Sequence, residues 1–226
     1  GGGLYEGWMD EDSPAYNRRK FTGYGCAAGV LVQKDFFLRS GGFDEYYFYS
    51  TEEADLGLRI WLQGNKVLYV PSAVMYHYMS RTGSRNKGLT PTMQFLEIRN
   101  HLYFILKNFE VGTAFKGFLF CLARSVYKIF SALASGNFHI PLAIVKAYGC
   151  FLRDLPQTLA ARKKTQSSRK VTDRELQKFG VLMSLPETFR RYDRGFKNMK
   201  RNQPGPLYDT QDTVKIRINT QDVTFK

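Results

Sequence analysis

The run Gly41-Gly42-Phe43-Asp44-Glu45 is followed, seven residues after Glu45, by Glu52-Glu53-Ala54-Asp55-Leu56. Ser50 precedes Glu53 by three residues, a spacing that predicts a capping box at the start of a helix. The apolar residues that follow recur at helical spacing and predict a helix from Ala54 to Gln63, which the next residue, a glycine, closes. The three carboxylates of the second run therefore fall where a helix begins.

These carboxylates have two interpretations. Acidic side chains in a first helical turn each stabilise the helix by about 0.3–1 kcal/mol, so capping accounts for one or two of them. However, the aromatic run Tyr46-Tyr47-Phe48-Tyr49 comes just before them. Aromatic rings exclude water from a neighbouring carboxylate and raise its pKa toward values that suit a general base. From the residues alone, both capping and catalysis stay open.

Short strands and helices are predicted around this centre. Gly25–Gln33 is a continuous apolar run with several small residues, which predicts a buried strand that another group approaches closely. Lys34–Ser40 predicts a short helix, and Lys66–Val70 alternates as a strand does. A long helix is predicted from Thr92 to Asn108. Residues 20–90 should therefore form short strands flanked by helices.

Charge is distributed unevenly along the 226 residues. Residues 1–80 hold 7 Lys and Arg against 10 Asp and Glu, whereas residues 81–226 hold 26 against 10, so that the net charge of +13 belongs to the second part. Such a basic surface attracts polyanions. The three cysteines, Cys26, Cys121 and Cys150, lie among apolar residues without metal-ligand spacing, which predicts buried thiols in a reducing compartment. A start at three glycines, without a signal segment, suggests a fragment.

Two mostly apolar stretches, 112–134 and 138–155, follow the long helix. Arg124 lies in the middle of the first and argues against a span exposed to lipid. We therefore predict amphipathic helices that lie on a membrane face. The cations of residues 159–170 follow directly and are expected to bind an anionic leaflet. The aromatic residues that we expect to insert are Phe115, Phe118, Phe120, Tyr127 and Phe130.

A larger pattern resembles the carboxyl-terminal half of a family 2 glycosyltransferase of the rhamnosyltransferase-like branch. Order and spacing match over about residues 20–110. The matching residues are Gly23-Tyr24-Gly25-Cys26-Ala27-Ala28-Gly29-Val30-Leu31-Val32, Gly41-Gly42-Phe43-Asp44-Glu45, Phe48, Glu52-Glu53-Ala54-Asp55-Leu56, Arg59, Gly64, Tyr69-Val70-Pro71 and His77.

The resemblance implies an α/β fold, the acceptor-side half of a GT-A-like nucleotide-diphospho-sugar transferase sandwich, followed by a mainly helical C-terminal extension. The resemblance assigns residues 1–110 to the acceptor and catalytic-base part, and the composition of the later residues adds a basic, amphipathic, membrane-associating extension over 111–189 and a polar tail over 190–226. The function that the resemblance implies is inverting transfer of a sugar from a nucleotide-diphosphate donor to a hydroxyl of a glycan or lipid-linked acceptor, in cell-surface polysaccharide or glycolipid synthesis. The cysteines and the basic extension together predict a location at the cytoplasmic face of the membrane, with peripheral attachment.

The resemblance also implies site residues. The base falls on Glu53, where the family pattern Glu-Asp-x-Asp has Asp, so that the side chain is one methylene longer here. Glu52 and Asp55 match outright and would orient the acceptor and Arg59; Asp44 joins this substrate-binding set. Arg81 and Arg85, in a glycine-rich basic loop, would fold over the diphosphate, although a solvated connector explains that loop equally well. His77 would complete a site for a divalent cation, Mg²⁺ or Mn²⁺, whose main Asp-x-Asp motif lies in the part of the family that precedes this region.

Two other functions are compatible with the sequence. Glu at position 53 would suit a membrane-surface adaptor that has kept the transferase shape and lost its chemistry. An isoelectric point of about 9.7 would suit a nucleic-acid binder, but no zinc spacing, RNA-binding signature or helix-turn-helix pattern accompanies it. We rank the transferase first and expect nucleic acid not to be a partner. Without the donor half, residues 1–226 alone are expected to be inactive.

Overall fold

A computed structural model describes residues 13–75, 90–184, 186–188 and 190. Within these ranges the chain is mostly helical and has a two-stranded sheet. The regular elements are β1 (Lys20–Thr22), α1 (Lys34–Arg39), α2 (Glu52–Leu62), β2 (Val67–Tyr69), α3 (Pro91–Asn108), α4 (Val111–Ala134), α5 (His139–Arg153), α6 (Leu155–Ser167) and α7 (Asp173–Lys178).

The two strands pair in antiparallel fashion and lie beside α2. Lys20 is opposite Tyr69 and Thr22 is opposite Val67. The indole Nε1 of Trp61, on α2, donates to the carbonyl oxygen of Thr22 at 2.8 Å. β2 confirms the strand predicted over Lys66–Val70 at its three central residues. The wider α/β sandwich stays a prediction, because the described strands form this single pair.

The strand predicted over Gly25–Gln33 is wrong. Ala27–Gly29 forms a 3-10 turn instead, and the side chain of Leu31 is 74% exposed. A strand needs a neighbouring backbone to satisfy its amide groups. In this segment the amide of Ala27 donates to the carboxylate of Glu53 at 2.7 Å, so a side chain takes the place that a neighbouring strand would have.

The helix α2 forms as predicted, but it begins differently. Its N-cap residue is Thr51, in the left-handed conformation and without a side-chain capping bond. The capping box predicted from Ser50 and Glu53 is therefore wrong, because the Glu53 carboxylate turns to Ala27 instead. Gly57 lies where α2 comes close to the loop that contains Tyr24. A Cβ at position 57 would stand 2.3 Å from Cβ of Tyr24. This helix is thus fixed by close contact with the preceding loop.

The helix α3 is the centre of the remaining structure and packs against α4, α5 and α6. It confirms the helix predicted from Thr92 to Asn108 to within one residue. One hydrophobic cluster joins α2, α3, α4, α5 and α7, so the boundary predicted at residue 110 does not coincide with a break in packing. The three cysteines are free thiols, of which Cys121 is buried and the other two are half-buried.

Part of the predicted polybasic segment has a structural role. Arg162, Gln166 and Arg169 turn toward the C-terminus of α3, whose last carbonyl groups have no partner inside the helix. Arg162 donates to the oxygens of Leu106 and Phe109, and Gln166 donates to Lys107 and Asn108. Arg169 also donates to Asn108. Two of the cations that were expected to face lipid therefore hold α6 against α3.

Candidate functional site

Asp55 lies at the centre of a buried group of charged and polar side chains. It is fully buried, and four donors surround its carboxylate. Its Oδ2 accepts from Nε of Arg59 at 2.7 Å and from Nζ of Lys107 at 2.9 Å. Its Oδ1 accepts from the hydroxyl of Tyr47 at 2.9 Å and from Nδ2 of Asn108 at 2.8 Å. This carboxylate therefore has no direct access to a substrate and can influence one only by orienting the residues around it.

Lys107 joins this carboxylate to a second one. Its Nζ lies 2.6 Å from Oδ2 of Asp44, which also accepts from the hydroxyl of Tyr103 at 2.7 Å. Burial acts to raise the pKa of Asp44, but the charge and hydrogen bond of Lys107, together with the bonds from Tyr103 and the Tyr46 amide, outweigh it and lower the pKa. Asp44 is thus held as a carboxylate by α3.

The guanidinium of Arg59 is committed to the same framework. Besides its bond to Asp55, it donates to the carbonyl oxygen of Ser40 at 2.7 Å and to that of Gly42 at 2.6 Å. Both carbonyls belong to the turn that ends α1, where Gly41 and Gly42 have positive φ. Arg59 and Asp55, both predicted to act near the substrate, therefore position the Gly41-Gly42 turn in this structure.

A strained loop connects this framework to α2. Phe48, Ser50 and Thr51 all have positive φ, at 59°, 68° and 81°. Such conformations cost on the order of 1–3 kcal/mol each in residues other than glycine and persist only where the surroundings enforce them. They immediately precede Glu52 and Glu53, the residues to which sequence patterns assigned the chemistry.

Two neighbouring residues of α3 hold this loop. The side-chain amide of Asn100 donates to the carbonyl oxygens of Tyr47, Tyr49 and Ser50 at 3.0, 2.8 and 2.9 Å. Arg99 donates to the carbonyl oxygen of Tyr46 at 2.8 Å, and its guanidinium lies 4.8 Å from the centre of the Tyr46 ring. The loop that leads to α2 is thus fixed from α3 by side chains.

Glu52 and Glu53 occupy the first turn of α2 and are both half-buried. Oε2 of Glu52 is buried and has no hydrogen-bond partner. Burial raises the pKa of Glu52, its own backbone amide opposes this rise, and the charge of Glu53 adds to it. Tyr47 or Tyr49, from the aromatic run, was expected to desolvate Glu53. The hydroxyl of Tyr47 donates to Asp55 instead, and Tyr49 is exposed. The two carboxylates form an acidic pair at the end of the strained loop.

Three of the predicted site residues, His77, Arg81 and Arg85, lie outside the described residues. Their roles stay predictions. Within residues 13–75, 90–184, 186–188 and 190, no three His, Cys, Asp or Glu side chains are grouped as a metal site requires. The described residues therefore do not by themselves provide a site for the divalent cation that the resemblance implies.

The structure brings together Asp44, Asp55 and Arg59, and it adds partners that the sequence reasoning did not assign. Asn100, Tyr103 and Lys107 all come from α3 and all contact the framework or the loop. Their spacing of three and four residues places them on one face of a helix. Polar and aromatic residues that recur on one face of the predicted helix were therefore the signal that could have identified them.

Comparison with known proteins gives one partial relationship. No family model matches the chain, and no solved structure matches it. Over 65 residues the chain is 38% identical to the N-acetylglucosaminyl-diphospho-decaprenol L-rhamnosyltransferase of Mycobacterium tuberculosis, in both strain CDC 1551 / Oshkosh and strain ATCC 25618 / H37Rv. The match covers 29% of this chain and 21% of each relative. Part of the chain is therefore related to a glycosyltransferase.

Proposed function

We propose that this chain carries the acceptor side of an inverting glycosyltransferase, which moves a sugar from a nucleotide-diphosphate donor to a hydroxyl of a glycan or a lipid-linked acceptor. One observation carries the proposal. A strained loop, fixed from α3 by Asn100, presents the paired carboxylates Glu52 and Glu53 in the first turn of α2. Strain of this kind clusters at functional sites, where positioning of the reacting groups outweighs its cost.

In this proposal Glu53 is the general base. It accepts the proton of the acceptor hydroxyl while that oxygen attacks the anomeric carbon and the bond to the nucleoside diphosphate breaks. The amide of Ala27, 2.7 Å from Oε1, holds the carboxylate in one orientation. Glu52 orients the acceptor beside it. Asp44, Asp55 and Arg59 keep the two turns that flank this site in place.

The remaining components are proposals from the resemblance and the partial relationship. His77, Arg81 and Arg85 would serve the donor diphosphate and a divalent cation, Mg²⁺ or Mn²⁺. The cation would carry negative charge of the leaving diphosphate. Since the described residues do not provide its ligand set, no step of the proposed mechanism is assigned to it. We further propose that the acceptor is lipid-linked and that the protein lies at the cytoplasmic face of an anionic membrane.

The experiment is a transfer assay on the natural protein that contains this sequence. It would be incubated with nucleotide-diphosphate sugars, a divalent cation and lipid-linked acceptors, and radiolabelled sugar in the lipid extract would be counted. We expect label to enter the lipid fraction with one class of donor, and proton NMR of the product to show an inverted anomeric configuration. Retention of configuration, or no transfer with any donor while the protein is folded, would contradict the proposal.

An inactive membrane-surface adaptor is the second candidate. It is favoured by one observation, the hydrogen bond between Glu53 and the amide of Ala27, because a carboxylate that secures a loop need not be a base. The same assay separates the two candidates: the adaptor predicts membrane binding without transfer of sugar by the natural protein.

A further inference from the structure

The helices α4 and α5 leave an apolar face without a partner among the described residues. On α4 this face recurs at helical spacing, and its outermost side chains are highly exposed: Phe115 is 64% and Phe130 is 67% exposed. The residues between them on the same face are Leu119, Leu122 and Val126. A contiguous apolar surface of this kind indicates an interaction site.

The neighbouring helix extends the same surface. Leu142, Val145 and Leu152 of α5 are exposed, at intervals of three and seven residues, and Phe138 is exposed just before α5 begins. The opposite side of α5, with Ile144 and Ala147, is buried in the core. We call the exposed apolar side chains of α4 and α5 the outer face.

The cations in the middle of α4 do not belong to the outer face. Arg124 is paired with Glu97 of α3. Nζ of Lys128 lies 3.1 Å from the same carboxylate and 3.0 Å from Oε1 of Gln94. In the sequence, the position of Arg124 spoke against a span exposed to lipid. In the structure this cation points toward α3, where Glu97 neutralises it, so Arg124 does not oppose such a span by itself.

The inner side of α4 explains how the helix lies. Ala114, Gly117, Cys121 and Ser125 are buried along one line. A Cβ at Gly117 would stand 3.1 Å from the Ile105 side chain, so the backbones of α4 and α3 approach closely. By length and composition α4 could cross a membrane. Its inner side instead rests on α3 and the charged Glu97, which favours a helix in the plane of the interface over one that spans it.

Exposed cations lie on the same two helices and at one end of α4. Lys116 is exposed on α4 and Lys146 on α5, and the exposed Lys163 of α6 lines a pocket together with Val111, the first residue of α4. Nζ of Lys146 lies 5.7 Å from the centre of the Phe95 ring, at the edge where α5 meets α3. An apolar surface with cations beside it complements an anionic bilayer, with acyl chains for the rings and phosphates for the lysines.

We propose that the outer face inserts into the interfacial layer of an anionic lipid bilayer, with α4 and α5 parallel to the membrane plane. This rests on the membrane part of the proposed function and makes it specific, since attachment is then mainly apolar and only aided by charge. Of the aromatic residues expected to insert, Phe115, Tyr127 and Phe130 are exposed. Phe118 and Phe120 are half-buried, and Phe118 packs on Phe151.

The test is co-flotation of the protein with vesicles of phosphatidylcholine, with and without phosphatidylglycerol, in low and in high salt. The variant Phe115→Ser/Phe130→Ser/Leu142→Ser removes apolar contacts, and Lys116→Gln/Lys163→Gln is the matched charge variant. We expect the partition coefficient of the apolar variant between vesicles and water to fall about tenfold or more at both salt concentrations, because the transfer of apolar area from water into lipid depends little on salt. We expect the lysine variant to lose binding in low salt alone. Circular dichroism and gel filtration check that both variants are folded.

Several outcomes would overturn the proposal. The proposal fails if the apolar variant floats with vesicles as well as the unmodified protein does, or if high salt releases the unmodified protein completely. It also fails if the unmodified protein is a dimer without lipid and the apolar variant, but not the lysine variant, is a monomer. Loss of DNA binding in that variant, with vesicle binding intact, would assign the face to nucleic acid instead. Transfer to a water-soluble acceptor should be unchanged in the apolar variant, so failure of the membrane proposal is distinguishable from failure of the transferase proposal.

Discussion

The side-chain amide of Asn100 lies 2.9 Å from the carbonyl oxygen of Ser50, a residue with a φ of 68°. The same amide bonds two further carbonyls of the loop, so one side chain of α3 enforces the conformation that leads to Glu52 and Glu53. A position far away in sequence therefore controls the candidate site.

Asn100→Asp should weaken both the fold and the site. The substitution keeps the shape but replaces the donor NH₂ with an oxygen that faces three carbonyl oxygens. We expect the free energy of unfolding in urea to fall by at least about 1–3 kcal/mol, the usual cost of an unsatisfied buried polar group, because the cost is larger for a charged carboxylate. Asn65→Asp, at an exposed position after α2, is the control and should change stability little. An Asn100→Asp protein as stable as the unmodified one would show that the loop is held by other contacts.

Lys107→Met tests the buried charge cluster. Removal of this cation leaves Asp44 and Asp55 close together without the charge that joins them. We expect a loss of about 3–5 kcal/mol in thermal or urea unfolding, as for other buried ion pairs that lose one partner. Lys163→Met removes an exposed lysine and should cost far less. Equal effects of the two substitutions would mean that Asp55 is stabilised mainly by Arg59, Tyr47 and Asn108.

Gly57→Ala tests the close approach of α2 to the preceding loop. A Cβ at Gly57 would stand 2.6 Å from the carbonyl oxygen of Gly23 as well as against Tyr24, so the helix must move. We expect a loss of about 1–3 kcal/mol, typical of overpacking. Gly149→Ala, in α5, has open space around it and should stabilise the protein by about 0.4–1 kcal/mol. Stabilisation by both substitutions would contradict the packing of α2 described here.

Acid should destabilise the protein through the Glu97 cluster. Burial acts to raise the pKa of Glu97, but Arg124 and Lys128 outweigh it and lower the pKa from 4.5 to about 2. Burial and the charge of Arg124 lower the pKa of His101 from 6.5 to about 4. In both cases the unfolded chain binds the proton first, so stability falls as pH falls from 6.5 to 4 and again from 4.5 to 2.

Denaturation in urea at a series of pH values measures this dependence. Glu97→Gln should flatten the lower part of the curve, and His101→Gln should flatten the upper part. Glu45→Gln, at an exposed position outside these helices, is the matched control and should leave both parts unchanged. A stability that is constant between pH 6.5 and 2 in the unmodified protein would contradict the proposed protonation states.

The regular helices could be predicted because their signals are local. The apolar periodicity of α3, α4 and α5 predicted helices that are confirmed. The capping box of α7, in which Thr172 and Glu175 bond each other's backbone amides, is a local pattern of the same kind. Such features depend on neighbours three or four residues away.

The features that were missed depend on distant residues. Ser50 and Glu53 have the spacing of a capping box, but Glu53 bonds Ala27, 26 residues away in the chain. A short apolar run such as Gly25–Gln33 has no period of its own that distinguishes strand from loop. Lys107 carries the charge that links Asp44 and Asp55 across more than 50 residues. Local patterns contain no information about such contacts.

The most direct test of the central claim is the rate of sugar transfer after Glu53→Gln in the natural protein that contains this sequence. We predict that kcat falls by about 10²–10⁴-fold while KM for the donor is nearly unchanged, because a general base acts mainly in the transition state. Asp35→Asn is the control, since Asp35 is an exposed carboxylate that also lies in a first helical turn. Glu53→Asp, which restores the residue of the resembling family, should retain measurable activity. Full activity in Glu53→Gln would contradict the claim and leave Glu53 as the residue that secures the amide of Ala27.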